Sequence, residues 1–259
     1  MSNKFFRPTS DNREEWIFYW VAQGEPWRLE PEISKERQLI LLEKIKYIEP
    51  NISKGIYTFK GSHLTRGDIE WLLSNHESGG IRGPIDWDDK LQRKRKGLDL
   101  RGADMSSENL SGLPLARLYG GLSGQEMDEW YDNESIVKEA AINLSNANLR
   151  YTRFEGSSLT YANLSGTDLS SAHFESADLH KASLTSETPI DLRYAHFNSE
   201  TTLRYILFST GIKSGAPRLV DVHWNGANLS NIGFTALQLL GDEQIANQKN
   251  MLVGEKMVN

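Results

Sequence analysis

Residues 142–186 read INLSN ANLRY TRFEG SSLTY ANLSG TDLSS AHFES ADLHK ASLTS, with a leucine or phenylalanine at the third position of every group of five. Two residues before these centres, every position except Ile142 holds alanine, serine or threonine, and a polar residue always lies between. The nine centres are Leu144, Leu149, Phe154, Leu159, Leu164, Leu169, Phe174, Leu179 and Leu184.

A period of five residues fits neither regular secondary structure. Residues five apart lie about 140° apart around an α-helix, so they form no single face. In a strand, successive centres would alternate between two faces. A chain that turns a corner after every five residues instead points each centre at a common axis. The period therefore predicts a solenoid, in which short units bury their apolar side chains by stacking on one another.

The groups Ala147-Asn148-Leu149 and Ala177-Asp178-Leu179 carry a resemblance to a known family. They resemble the pentapeptide-repeat proteins, whose motif is alanine, aspartate or asparagine, leucine and two variable residues. The resemblance implies a right-handed quadrilateral β-helix with four pentapeptides per coil and the nine centres in its core. Together with the segment that precedes it, the chain is expected to have an α+β fold, with this β-helix after a small all-helical domain.

Residues 1–96 lack the period and are predicted to form that helical domain. Asp11 and Glu14 have the spacing of a capping box before the apolar run at 16–21, which we expect to be buried on all sides. A second helix is expected from about residue 31 to 47, with an inward stripe of Ile33, Leu39, Leu42 and Ile45. A third is expected to begin at Thr65 and to bury Ile69, Leu72 and Leu73.

Residues 97–236 are predicted to form the β-helix. Its spacing breaks at residues 119–141, which we expect to be a projecting excursion with one or two short helices, and it returns in weaker form up to Phe234. Both ends of a solenoid need covering, and the helical domain would cover the first. Residues 237–259 would form a C-terminal cap or tail, or would pair two copies as a homodimer.

Composition excludes several protein classes. With 38% hydrophobic and 25% charged residues the chain is typical of globular proteins, and the absence of cysteine excludes disulfides and thiolate metal sites. Residues 1–7 lack an apolar signal core, and no stretch approaches the roughly 18 apolar residues that a membrane span needs. We expect a soluble cytoplasmic protein with no membrane partner.

The sequence offers little support for catalysis. It contains no phosphate-binding glycine loop, dinucleotide fingerprint or nucleophile elbow, and its six histidines are scattered. His173 and His196 occupy the polar position of a repeat, which predicts outward wall residues. We expect no metal, no cofactor and no catalytic residues. An enzyme with a site between the helical domain and the first coil is kept as an alternative.

Charge favours a protein partner over a nucleic acid. Residues 98–236 contain 17 acidic and 10 basic residues, and the basic run 93–96 is too short to predict direct nucleic-acid binding. Some pentapeptide-repeat proteins mimic DNA and protect DNA gyrase or topoisomerase IV, which the resemblance suggests as partners. Within 142–186, however, four acidic residues face three basic ones, whereas duplex DNA carries about six charges over the same ~11 Å. A general protein-interaction scaffold is the alternative.

The excursion is the predicted partner-binding element, because acidic residues and two aromatic residues lie close together in it. Tyrosine and tryptophan are enriched at protein interfaces. The alternative for Trp130 is that it packs the excursion onto the coil. The candidate partner-binding residues are Glu126, Asp128, Glu129, Trp130, Tyr131 and Asp132.

Overall fold

The computed structural model of the chain describes residues 6–185, 191–203, 207–208, 222–225 and 227. The expectation for Phe234, and those for a cap, tail or homodimer contact within 237–259, concern residues outside these ranges. None of the helices in the described ranges has the length and apolar character that a bilayer crossing requires. The helices are α1 (Arg13–Ala22), α2 (Lys35–Tyr47), α3 (Arg66–Asn75), α4 (Gly124–Trp130) and α5 (Glu134–Ala140).

Helix α1 is buried on one side only, so the expected burial on all sides is wrong. Trp16 and Trp20 lie four residues apart and are buried, whereas Phe18 is 71% exposed. A helix at the edge of a domain has neighbours on one face, and these two tryptophans are the residues that reach it. The cap is Asn12 and not Asp11, since the Asn12 side chain accepts a hydrogen bond from the backbone N–H of Glu14.

Helix α2 turns a different face inward than its apolar stripe predicts. Leu41 is fully buried, but Leu39, Leu42 and Ile45 are each about half exposed or more. The inward face is the one that carries Arg37, whose Nε and Nη2 each donate a 2.8 Å hydrogen bond to the buried carboxylate of Asp68. The ion pair between Arg37 and Asp68 thus sets the orientation of α2, because a buried Asp68 carboxylate without a partner would strongly destabilise the fold.

Helix α3 forms the centre of the N-terminal domain and follows the expectation. Thr65 and Asp68 form a reciprocal capping box, and Ile69, Leu72 and Leu73 are buried. The domain is not all-helical, because an antiparallel hairpin of β1 (Glu77–Ser78) and β2 (Ile81–Arg82) follows α3. The turn between these strands consists of Gly79 and Gly80, both with positive φ, a conformation that favours glycine.

The coil is held together mainly by single parallel bridges. Bridge partners in its regular part lie twenty residues apart, as in Asn143–Asn163 and Arg153–His173. Four pentapeptides therefore complete one coil with four sides. Regular strands are few, since the only strand pair that the described part of the coil contains is β3 (Ser183–Leu184) with β4 (Leu207–Phe208). The expected β-helix consists of corners joined by very short extended segments.

Four columns of bridges run along the four sides, each through the polar position of successive repeats. The first contains Asp104, Asn143, Asn163 and Ser183; the second Asn109, Asn148, Asp168 and Asp191; the third Pro114, Arg153, His173, His196 and His223; and the fourth Asp99, Tyr119, Ser158, Asp178 and Thr202. We call the third the histidine column.

Apolar side chains fill the interior of the coil. All nine centres from Leu144 to Leu184 are at most 3% exposed. Phe154, Phe174, Phe197 and Trp224 stack in one line, with successive ring centroids 5.0–5.4 Å apart. Offset aromatic stacking at this spacing adds to the gain from apolar burial.

The N-terminal domain covers the first end of the coil. The backbone N–H of Leu64 donates to the carbonyl of Asp104, and the N–H of Asp104 donates to the carbonyl of Ser62, so the segment pairs with the first coil as a further rung. Leu64 and Phe59 are buried in the same apolar cluster as the coil centres. The open backbone edge and the apolar end of the first coil are thereby both covered.

Candidate functional site

The excursion leaves the coil after Gly120 and returns at Ile142, whose N–H donates to the Gly120 carbonyl. It folds back onto the coil and does not project freely, which corrects the expectation. Its buried residues form a small apolar cluster of their own, together with a residue of the N-terminal domain. The cluster consists of Tyr57, Leu122, Met127, Val137 and Ala140.

Two of the predicted partner-binding residues have structural roles. Trp130 is partly buried and packs on this cluster, as the alternative interpretation proposed. Glu126 accepts a 2.9 Å hydrogen bond from Nη1 of the buried Arg101, and its other carboxylate oxygen accepts from the backbone N–H of Ser123 at the start of α4. Both side chains are therefore already engaged in contacts within the fold.

The other four predicted residues lie together on the outer face of α4 and the turn that follows it. Tyr131 is 50% exposed. Asp128, Glu129 and Asp132 are exposed, and in the part of the chain that the structure describes none of them forms an ion pair. We call Asp128, Glu129, Tyr131 and Asp132 the acidic face. Such a surface combines unpaired negative charge with one aromatic anchor.

Lys181 borders the acidic face. Nζ of Lys181 lies 5.2 Å from the centroid of the Tyr131 ring and donates a 2.7 Å hydrogen bond to the Tyr161 hydroxyl. That hydrogen bond raises the pKa of Lys181. The lysine therefore stays charged and holds Tyr131 against the coil wall through a cation–π contact.

Acidic residues on the coil walls differ from those of the acidic face, because most of them have a basic partner. Arg153 binds both Glu155, at 2.7 Å, and Asp88, at 3.1 Å. Its hydrogen bonds to Asp88 hold the pKa of that carboxyl below the ordinary value. Arg150 lies 3.9 Å from Asp168, and Arg193 lies 2.6 Å from Asp191. The walls thus expose little net charge.

A cleft between the N-terminal domain and the first coil has a volume of about 360 Å³ and is lined partly by Arg66 and Glu108. Its ionisable groups hold the structure together: Arg66 binds Glu70 and three backbone carbonyls, and Glu108 accepts from the backbone N–H of Arg66. Arg66 and Glu108 are thus engaged in structural contacts in this cleft.

His173 and His196, which the sequence places separately on the walls, lie against each other in the histidine column. Their ring centroids are 4.3 Å apart with the planes only 7° from parallel, and His223 continues the stack at 4.5 Å. The signal that predicts this contact is the motif Ala-His-Phe, which occurs at residues 172–174 and again at 195–197. Its two copies occupy the same position in successive coils.

Comparison with known proteins identifies the repeat. The family described as "Pentapeptide repeats" matches residues 141–175 and 159–186, with 8 copies. A crystal structure of a pentapeptide repeat protein (Rfr23) from the cyanobacterium Cyanothece 51142 is 19% identical over 49% of this chain and 88% of that one, with a TM-score of 0.18. No curated protein matches the chain.

Proposed function

We propose that this chain, whose residues 141–186 match the pentapeptide-repeat family, acts without catalysis, by binding another protein through its acidic face. The observation that carries the proposal is the contrast between two sets of carboxylates. Several of those on the coil walls, among them Glu155, Asp168 and Asp191, are paired with arginine, whereas Asp128, Glu129 and Asp132 are exposed around Tyr131 and form no ion pair within the described residues.

A surface of this kind fits a basic partner. Unpaired carboxylates attract a positively charged surface and speed its approach, and a half-exposed tyrosine offers apolar area with a polar tip. The packed position of α4 and α5 on a rigid coil also favours binding, because an ordered surface loses less conformational entropy when a partner arrives. We expect the interaction to weaken as the salt concentration rises.

Type II topoisomerases are the specific partner class that we propose. Their DNA-binding grooves are basic, and the resemblance implies a right-handed coil of the kind that some relatives insert there as DNA mimics. In this chain the carboxylates of the acidic face, and not those of the coil wall, would take the place of the DNA phosphates in that groove. The paired wall carboxylates favour the alternative of a general interaction scaffold, in which the acidic face binds a different basic protein.

The decisive experiment uses purified DNA gyrase and topoisomerase IV. We expect the chain to bind at micromolar concentration or tighter, and to alter supercoiling by gyrase in the presence or absence of a quinolone. Replacing Asp128, Glu129 and Asp132 together by lysine should weaken binding by about 100-fold or more, because three attractive contacts become repulsive. Tyr131→Ala should weaken it by about tenfold.

A matched charge reversal provides the control. Glu43, Glu49 and Glu77 are exposed on the N-terminal domain and form no ion pair in the described structure, so lysine at these positions changes the net charge equally. Equal losses from both triple variants would show that total charge matters and that the acidic face does not. No binding to either topoisomerase would overturn the specific proposal and leave the scaffold.

A further inference from the structure

We infer that His173, Glu175 and His196 form a binding site for one zinc-like divalent metal ion, which would tie two successive coils together. His173 and Glu175 lie on one coil, and His196 occupies the equivalent position of the next. The site lies on the wall of the histidine column. It involves none of the residues of the acidic face, so it stands independently of the proposed function.

The donor atoms are already close together. Nδ1 of His173 lies 3.4 Å from Oε1 of Glu175, and the three candidate donor atoms all lie within 4.8 Å of one another. A zinc ion with bonds of about 2.1 Å at tetrahedral angles holds its donors about 3.4 Å apart. The stacked imidazoles must therefore tilt toward each other and close by up to about 1.4 Å, which side-chain rotation permits because the three residues are only partly buried.

Glu175 supplies a second, separate indication. Its Oε2 atom is buried and has no hydrogen-bond partner within the described structure. A carboxylate oxygen that is removed from water and left unbonded is destabilising, and such atoms are rare in folded proteins. A metal ion beside the two imidazoles would supply the missing partner.

Charges around the site are compatible with a cation. Arg153 precedes His173 in the histidine column, but it is neutralised by Glu155 at 2.7 Å and Asp88 at 3.1 Å. Oε2 of Glu155 is a second buried carboxylate oxygen that has no hydrogen-bond partner among the described residues, and it lies on the same side of the coil. The neighbourhood of the site therefore contains more carboxylates than basic groups.

The donor set selects the metal. Two imidazole nitrogens and one carboxylate oxygen suit zinc, and also cobalt, nickel and copper, whereas magnesium and calcium require oxygen donors throughout. Three protein ligands leave a fourth position for water. The ion would bridge the place where the column spacing changes from the twenty residues of Arg153–His173 to the longer interval of His173–His196. An ion at this position would add a side-chain link between the two coils beside the backbone bridge that already joins them.

Isothermal titration of the chelator-treated full-length chain with ZnCl₂ tests the inference, with Co²⁺ absorption as a second readout. We expect one ion per chain at micromolar affinity or tighter, a visible Co²⁺ spectrum of low symmetry, and a higher melting temperature with zinc. Glu175→Gln and His196→Ala should each weaken zinc binding by about 100-fold or more and abolish the thermal shift.

The control is His63→Ala, which removes another imidazole close to two carboxylates: His63 lies 3.3 Å from Glu108 and 3.7 Å from Asp104. Its zinc affinity should equal that of the unmodified chain. Glu175→Gln preserves the shape of the side chain, so circular dichroism should show an intact fold. Absence of zinc binding at 100 µM, or a site lost in His63→Ala and kept in His196→Ala, would overturn the inference.

Discussion

Leu164→Asp is expected to unfold the coil. Leu164 is fully buried, and its backbone N–H donates to the carbonyl of Ser183 on the next coil. Aspartate at this position would lose the apolar contacts of leucine and bring a carboxyl group into an interior that offers it no partner. Losses of this combined kind exceed about 4 kcal/mol, which is a large part of the stability of a typical domain. Urea denaturation followed by far-UV circular dichroism measures the effect.

The matched control places the same carboxylate on the surface of the coil. Tyr151 is 57% exposed and has a φ of +58°, a conformation that aspartate tolerates better than most residues. Tyr151→Asp should change the free energy of unfolding by about 1 kcal/mol or less. If Leu164→Asp were as stable as this control, residue 164 would not point into the coil.

Arg66→Ala is expected to have the next largest effect, because this side chain joins the N-terminal domain to the coil. The guanidinium is buried; its Nε donates to Glu70 at 2.7 Å, and its Nη1 donates to the carbonyls of Asn109 and Ser111 on the first coil. Its removal would leave the buried carboxylate of Glu70 without its cation. Breaking one half of a buried pair costs about 3–5 kcal/mol.

The pH dependence of the variant identifies the cause. Burial raises the pKa of Glu70 above its ordinary value of 4.5, even with Arg66 present. Without the arginine the pKa rises further, so the folded variant holds a proton that the unfolded chain releases above about pH 4.5, and stability falls as the pH rises. The deficit of Arg66→Ala should therefore be larger at pH 7 than at pH 4. A second change, Glu70→Gln, should restore part of the loss at pH 7.

An equal deficit at both pH values would mean that lost packing, and not the unpaired carboxylate, explains the effect. A loss below about 1 kcal/mol would show that Arg66 does not dock the N-terminal domain onto the coil. Either result would change the description of the junction between the two parts of the chain.

The core of the coil follows from the sequence because the period is local. The repeated five-residue spacing is enough to predict that each centre, such as Leu149 or Leu164, points into the coil. Residues distant in sequence decide the orientation of α2: Asp68, a capping residue of α3, binds Arg37 and turns Leu39 outward. A hydrophobic pattern read from one helix contains no information about such a partner.

The candidate sites also combine features that are visible in the sequence with features that only the folded chain reveals. The acidic and aromatic composition of the excursion is visible in the sequence, but the pairing of Glu126 with Arg101 and the packing of Trp130 depend on the folded chain. The histidine stack is harder to foresee. His173 and His196 are 23 residues apart, not twenty, so a regular count of four pentapeptides misaligns them. The repeated Ala-His-Phe motif is the sequence feature that indicates a shared column, and the bridges between coils show the contact.

The four-sided coil with twenty residues per turn is the central claim, and a disulfide tests it directly. The chain has no cysteine, so an introduced pair reports only on its own geometry. Asn148 and Asp168 are bridge partners on adjacent coils, and the ~4.8 Å spacing of paired backbones lies within the range that a disulfide spans. Asn148→Cys with Asp168→Cys should lose both free thiols under mild oxidation without forming dimers. Asn148→Cys with Asn163→Cys, on different sides of the coil, should keep them. Equal oxidation of the two pairs, or oxidation of the second pair alone, would contradict the coil.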